Sequence, residues 1–117
     1  MLGNKVTMTV RKINQNASIV DIQGEISGFA EDALMDAYTQ ASNGNTQAIL
    51  LNFSELEYMN SSGIGLLVTL LIRIQRQKQR LIVFGMSDHY KQIFELTRLN
   101  EAIGIYANEA EALAAVN

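Results

Sequence analysis

The first part of the chain alternates apolar and polar residues with a period of two. Val6, Met8 and Val10 are apolar, and the residues between them are polar, which is typical of a half-buried β-strand. Turn-forming residues follow at positions 14–16, and a second strand is predicted at 19–22, ended by Gly24. The two strands predict an antiparallel hairpin.

Helical spacing then replaces the alternation. We predict a first helix whose apolar face repeats every three to four residues and which stops near Gly44. This face consists of Phe29, Ala33, Leu34, Ala37, Tyr38 and Ala41. The apolar run 48–53 follows, which is typical of a covered central strand. We predict a loop at 54–61 and a second helix at 62–79.

The rest of the chain repeats the strand–helix pattern. We predict a strand at 81–84, then a third helix capped by Ser87 with the apolar face Ile93, Phe94 and Leu96. A strand at 103–106 precedes a last helix, where Asn108 and Glu111 fit a capping box. Its predicted apolar face is Ala110, Leu113, Ala114 and Val116.

The element order ββαβαβαβα predicts an α/β fold. Helices between successive strands imply a mostly parallel sheet, to which the opening hairpin adds an antiparallel strand. We therefore expect a mixed sheet of about five strands with about four helices. A chain of 117 residues is the size of one domain, so we assign residues 1–117 to a single domain.

Composition excludes several classes of function. The chain has 12 acidic and 9 basic residues, a net charge of −3, so it lacks the basic excess of a nucleic-acid-binding protein. It has no cysteine and one histidine, which excludes thiol chemistry and multi-histidine metal sites, and we predict no cofactor. The longest apolar stretch, 63–74, is too short to span a bilayer, and the start lacks a secretory leader pattern. We therefore expect a cytoplasmic protein.

Three segments follow the carboxyl ends of predicted strands, where ligands of open α/β sheets gather. They are residues 24–28, 58–63 and 85–88. The middle segment places Ser61 and Ser62 at the start of an apolar helix. A helix N-terminus tolerates a phosphate well, and a phosphoserine there would add about −1.5 to −2 charges to the surface. The alternative is that one serine is simply the helix cap.

The segment Asn60–Leu67 resembles the Asp-Ser-Ser-Gly-(Leu/Ile)-Gly signature of STAS domains, especially bacterial anti-sigma factor antagonists. The resemblance extends over nearly the whole chain. It includes the turn Gly24-Glu25-Ile26 and the segments 49–53, 84–87 and 93–99. Three residues depart from the family pattern: Asn60 and Ser27 replace common aspartates, and Arg98 replaces a common glycine.

The resemblance implies a regulatory protein rather than an enzyme. In the family, the first serine of the pair, here Ser61, is phosphorylated by an anti-sigma factor that is a histidine-kinase-like serine kinase. The unphosphorylated antagonist binds this kinase, the phosphorylated form is released, and a metal-dependent serine phosphatase resets it. We expect the partner-binding surface to comprise Ser27, Gly28, Met59, Asn60, Ser62, Gly63, Met86 and Ser87.

Other functions remain as alternatives. A STAS domain can also dock without phosphorylation on a transporter ATPase or another regulatory partner. Met59 and Met86 can equally be core residues. A serine hydrolase is disfavoured because the only histidine, His89, lies at a predicted helix start and no Gly-x-Ser-x-Gly elbow is present. A phosphorelay receiver would need acidic residues where Asn52 and Asn60 stand.

Overall fold

The computed structural model describes residues 5–116, so residues 1–4 and 117 of the predicted domain lie outside the described part. Five strands form one sheet in chain order. β1 is antiparallel to β2, and all later neighbours are parallel, so the predicted mixed α/β architecture is confirmed. The strands are β1 (Val6–Lys12), β2 (Ala17–Ile26), β3 (Ala48–Met59), β4 (Arg80–Phe84) and β5 (Gly104–Tyr106). The helices are α1 (Glu31–Ala41), α2 (Ser61–Arg76), α3 (Asp88–Leu96) and α4 (Glu109–Ala114).

The strand order explains why the helices are distributed unequally. Each parallel crossover moves one strand further in the same direction, and crossovers of one hand then place all their helices on the same face. The main core accordingly joins that face to α1, α2 and α3, and it includes Leu51, Leu67 and Phe94. The second face holds a smaller cluster that includes Ile19 and Leu50, and Ala112 of α4 packs on it.

Two strands are longer than the sequence predicts. Gly24 does not end β2, and residues 54–59, predicted as a loop, continue β3, with Ile26 paired to Met59. The register shifts after Asp21 and after Gly24, whose φ of +99° suits glycine and whose added Cβ would overlap the Lys5 carbonyl. The predictions were wrong because the outer half of this strand pair is largely exposed and therefore polar.

Helix boundaries and faces also differ from the prediction. Phe29 belongs to a 3₁₀ turn, Gly28–Ala30, and its side chain is 85% exposed instead of facing the core. α1 ends at Ala41, before the predicted stop at Gly44, and α2 ends at Arg76 instead of 79. In α3, Tyr90 and Phe94 are buried while Leu96 is 84% exposed. In α4 the buried residue is Ala112, and the predicted Ala110 is exposed.

An ion-pair network fastens α4 to the first two strands. The Arg11 guanidinium donates to both oxygens of Asp21, at 2.6 and 2.8 Å, and to both oxygens of Glu109, at 2.8 and 3.2 Å. Asn52 donates a further hydrogen bond to Asp21. The hydrogen bonds from Arg11 hold the pKa of the Asp21 carboxyl below its usual value. The network orients α4, the one described helix on the second face.

Candidate functional site

Asn60 caps the start of α2. Its backbone is extended, and its Oδ1 accepts a hydrogen bond from the Gly63 amide at 2.9 Å. Its carbonyl accepts the Ile64 amide at 3.0 Å, so the helix ladder begins here. The alternative that Ser61 or Ser62 is the cap is therefore wrong. Both serines lie in the first turn with exposed side chains, and neither hydroxyl is used as the cap.

Gly63 allows the start of α2 to lie close against the end of β2. A Cβ added at Gly63 would overlap the Ile26 carbonyl oxygen and would lie 2.9 Å from Cγ of Met59. The Asn60 amide donates to the same Ile26 carbonyl at 3.3 Å. Gly63 is therefore buried, and it contributes the close approach that positions the two serines rather than an exposed contact.

The 3₁₀ turn after β2 lies alongside Ser62. A Cβ added at Gly28 would be 3.5 Å from Cβ of Ser62. Ser27 precedes the turn, is buried, and accepts the Phe29 amide with its hydroxyl at 3.3 Å. Ser27 thus supports the turn from within, while Gly28 and Phe29 are exposed beside the paired serines.

Met59 and Met86 are buried, at 3% and 5% exposure. They lie beneath the site as core residues, so the alternative of adaptable surface methionines does not fit the fold. The Tyr90 hydroxyl accepts the Met59 amide at 2.8 Å, which links α3 to the end of β3. The helix that follows the third predicted loop thus contacts the residue directly before Asn60.

The loop between β4 and α3 is shaped by Gly85. Its φ is +77°, and an added Cβ would overlap the Ser54 hydroxyl. Ser87 occupies the predicted N-cap position of α3, where its carbonyl accepts the Lys91 amide at 3.0 Å, but its exposed side chain makes no capping bond. Of the predicted surface residues, Gly28, Ser62 and Ser87 are therefore exposed and Asn60 is partly buried.

The charges at this edge of the sheet are mainly acidic. Glu31 and Asp32 begin α1, and Asp88 begins α3, where Lys91 lies 3.8 Å away. Within residues 5–116 there is no group of three or more metal-ligating side chains. In the same range no helix has the length and apolar character needed to cross a membrane. The described features of this edge are therefore two exposed serine side chains with acidic residues at the starts of the neighbouring helices.

Comparison with known proteins identifies the family. The model of the STAS domain matches residues 8–112. The chain belongs to the STAS domain family. This confirms the resemblance carried by residues 60–67 and the segments around them. The five-stranded sheet with Ser61 at the start of α2 is thus a STAS fold.

The relatives of this STAS domain include named regulators. An anti-sigma-B factor antagonist of Staphylococcus aureus is 28% identical over 86 residues, covering 74% of this chain and 80% of the relative. An anti-sigma factor antagonist from Mycobacterium paratuberculosis has a similar structure, with a TM-score of 0.79, 22% identity and coverage of 96% and 94% of the two chains. The Bacillus cell fate determinant SpoIIAA in its phosphorylated form gives a TM-score of 0.70 and 22% identity, with coverage of 95% and 100%.

Sequence reasoning missed two exposed side chains near the site. The sequence pattern predicts Phe29 on a buried helix face and Tyr58 in the loop 54–61, whereas Phe29 is exposed on a 3₁₀ turn and Tyr58 is a 52% exposed residue of β3. Gly28 could have indicated that Phe29 lies outside the helix. A glycine directly before a predicted helix favours an irregular turn, and such a turn changes the face on which the next residue lies.

We predict that Asn60→Ala lowers the free energy of unfolding by about 1 kcal/mol, because the cap on the Gly63 amide is lost. Asn60→Asp is the matched control. It retains the acceptor oxygen and adds a charge that the helix N-terminus favours, so stability should be equal or slightly higher. Urea unfolding followed by circular dichroism measures both. Equal stability of the alanine variant and the wild type would show that the cap contributes nothing.

Proposed function

We propose that this STAS domain is an anti-sigma factor antagonist whose binding is switched by phosphorylation of Ser61. The observation that carries the proposal is the free, exposed serine at the first position of α2, beside a cap supplied by Asn60. The names of the relatives support the general role, and the phosphorylated state of SpoIIAA supports the type of switch. The protein acts by binding, without catalysis of its own, and we expect it to do so in the cytoplasm.

The position of Ser61 suits a phosphate that changes the surface and leaves the fold intact. The side chain is exposed, so kinase access requires no unfolding. The helix dipole favours negative charge at this end, and the Ser61 hydroxyl does not act as the cap that modification would disrupt. A dianion inside a docking surface, in contrast, would be buried without a partner, which costs several kcal/mol of binding free energy.

The proposed cycle has two partners. The unphosphorylated chain binds a histidine-kinase-like anti-sigma factor, which transfers the γ-phosphoryl group of ATP to the Ser61 hydroxyl and leaves ADP. The phosphorylated chain dissociates, and a serine phosphatase hydrolyses the phosphoester to restore the hydroxyl and release inorganic phosphate. Asn60 caps through an amide oxygen, so the departure from aspartate keeps the geometry of Ser61 and removes one negative charge beside it.

Constitutive docking on a transporter ATPase is the less favoured function. It would use the same exposed surface, but it would work equally well if the Ser61 hydroxyl were the N-cap of α2. The curated relative from Staphylococcus aureus carries the name of an antagonist, which favours the switch.

The test is phosphorylation by purified kinases. The chain is incubated with ATP and, in turn, each histidine-kinase-like anti-sigma factor encoded by its own host, and the phosphate is mapped by mass spectrometry. We expect one phosphate on the wild type and on Ser62→Ala, and none on Ser61→Ala. The phosphorylated protein should no longer co-elute with the kinase. Phosphate on Ser62, or no modification by any of these kinases, would overturn the proposal.

A further inference from the structure

Phe29 is the most exposed of the large apolar side chains in the described chain, and it follows Gly28, the residue that approaches Ser62 beside the proposed switch. Its side chain is 85% exposed, on the turn whose Gly28 backbone approaches Cβ of Ser62. Phenylalanine is usually buried in a protein core because removing its ring from water is favourable, and an exposed ring lacks this stabilisation. The neighbouring Ala30 packs into the core, whereas the ring of Phe29 is left outside it.

The turn fixes the backbone of Phe29 so that its side chain points outward. The Phe29 amide donates to Oγ of Ser27, and the Ala30 amide donates to the Ser27 carbonyl at 3.0 Å. Ser27 and Ala30 are both buried, so the turn is fastened on either side of Phe29. A side chain presented by a rigid turn loses little conformational entropy on binding, which is the property of an interface anchor.

The residues that follow Phe29 are negatively charged, so a partner surface that complements them would be basic. Glu31 and Asp32 follow directly on the first turn of α1, and both are exposed. Within residues 5–116, neither carboxylate takes part in an ion pair. The basic residues Arg73 and Arg76 lie at the far end of α2, away from Ser61. The surface beside the serine pair therefore combines the exposed ring of Phe29 with unpaired negative charge.

We propose that Phe29 is the anchor by which this chain docks on its anti-sigma factor, inserting into an apolar pocket that is rimmed by lysine or arginine. The inference rests on the proposed function, because the same partner contacts Ser61 and Phe29. Buried aromatic side chains dominate the binding energy of many interfaces. Glu31 and Asp32 match the basic rim and accelerate association. The basic rim meets Glu31 and Asp32, whereas a phosphate on Ser61 would stand on the other side of the anchor, where Gly28 approaches Ser62, and would be buried there without a basic partner.

The experiment compares Phe29→Ala with Leu96→Ala, a matched control because Leu96 is 84% exposed and lies at the end of α3. Binding of each variant to the purified kinase that binds wild type is measured by surface plasmon resonance at two salt concentrations. We expect Phe29→Ala to weaken the affinity at least tenfold, mainly through faster dissociation, and Leu96→Ala to change it less than twofold. Association of the wild type should slow as salt rises, and this dependence should decrease in Glu31→Gln/Asp32→Asn.

The outcomes separate this inference from the function on which it rests. Equal affinity of Phe29→Ala and wild type, with Ser61 still phosphorylated, would overturn the anchor and leave the switch in place. A loss of affinity in Leu96→Ala as large as that in Phe29→Ala would also overturn it, because exposed apolar area alone would then explain both. If no such kinase binds or phosphorylates the wild type, the proposed function fails and the inference fails with it. Thermal denaturation of all variants verifies that they fold.

Discussion

Ser61→Glu is expected to weaken binding to the anti-sigma factor at least a hundredfold, about 2.8 kcal/mol, while thermal stability stays within error of the wild type. The two effects separate because Ser61 is exposed at the first position of α2 and Asn60 supplies the cap. A negative side chain is favourable at a helix N-terminus, so the fold tolerates the charge that the interface does not. Calorimetric titration and differential scanning calorimetry measure the two quantities.

Ser61→Gln is the matched control for this prediction, because it has the size of glutamate without the charge. We expect it to bind more tightly than Ser61→Glu by at least tenfold. If glutamine and glutamate weaken binding equally, size rather than charge excludes the partner, and the phosphate would act as a steric block. If both bind as the wild type does, the surface around Ser61 is not the docking surface.

Gly63→Ala is expected to lower the free energy of unfolding by about 3 kcal/mol, the upper part of the range for overpacking. The added Cβ would overlap the Ile26 carbonyl, a backbone atom held by its place at the end of β2, so neither side can yield easily. Because the same contact positions the serine pair, phosphorylation of Ser61 should slow in this variant as well. Chemical denaturation and kinase assays on the folded fraction measure the two effects.

Gly65→Ala provides the control within the same helix. No atom outside the helix lies within 4 Å of a Cβ added there, and the position is exposed. Alanine should therefore stabilise α2 by about 0.5–1 kcal/mol through its higher helix propensity. Opposite signs at positions 63 and 65 would show that close approach governs the first glycine. Destabilisation of similar size at both would contradict this.

The sequence predicts the order of elements and the family better than it predicts surfaces. The period of two at 6–11 and the apolar run at 48–53 correspond to strands because each has at least one face in a core. The segment 54–59 was missed because β2 and β3 continue to pair where their side chains are largely exposed. Backbone hydrogen bonds there leave no hydrophobic signature.

In the candidate site too, the sequence predicts the position of an element better than it predicts which side chains are exposed. The serine pair was located from the helix-start pattern, yet which residue caps the helix depended on backbone geometry, and this proved to be Asn60. Met59 and Met86 could not be assigned to surface or core from sequence, since methionine is common in both. Phe29 was misassigned because its spacing fits the apolar face of α1, while the turn that precedes the helix rotates it outward.

The chain-order arrangement of the sheet has a consequence for synthesis. As the polypeptide leaves the ribosome, each new strand finds its pairing neighbour already made, so the sheet can grow at one edge without waiting for distant segments. The second face is different, because Ile19 and Leu50 stay uncovered until α4 emerges. Glu109, the first residue of α4, then pairs with Arg11 across 98 positions of sequence, so α4 is secured to β1 only after all five strands of the sheet have been made.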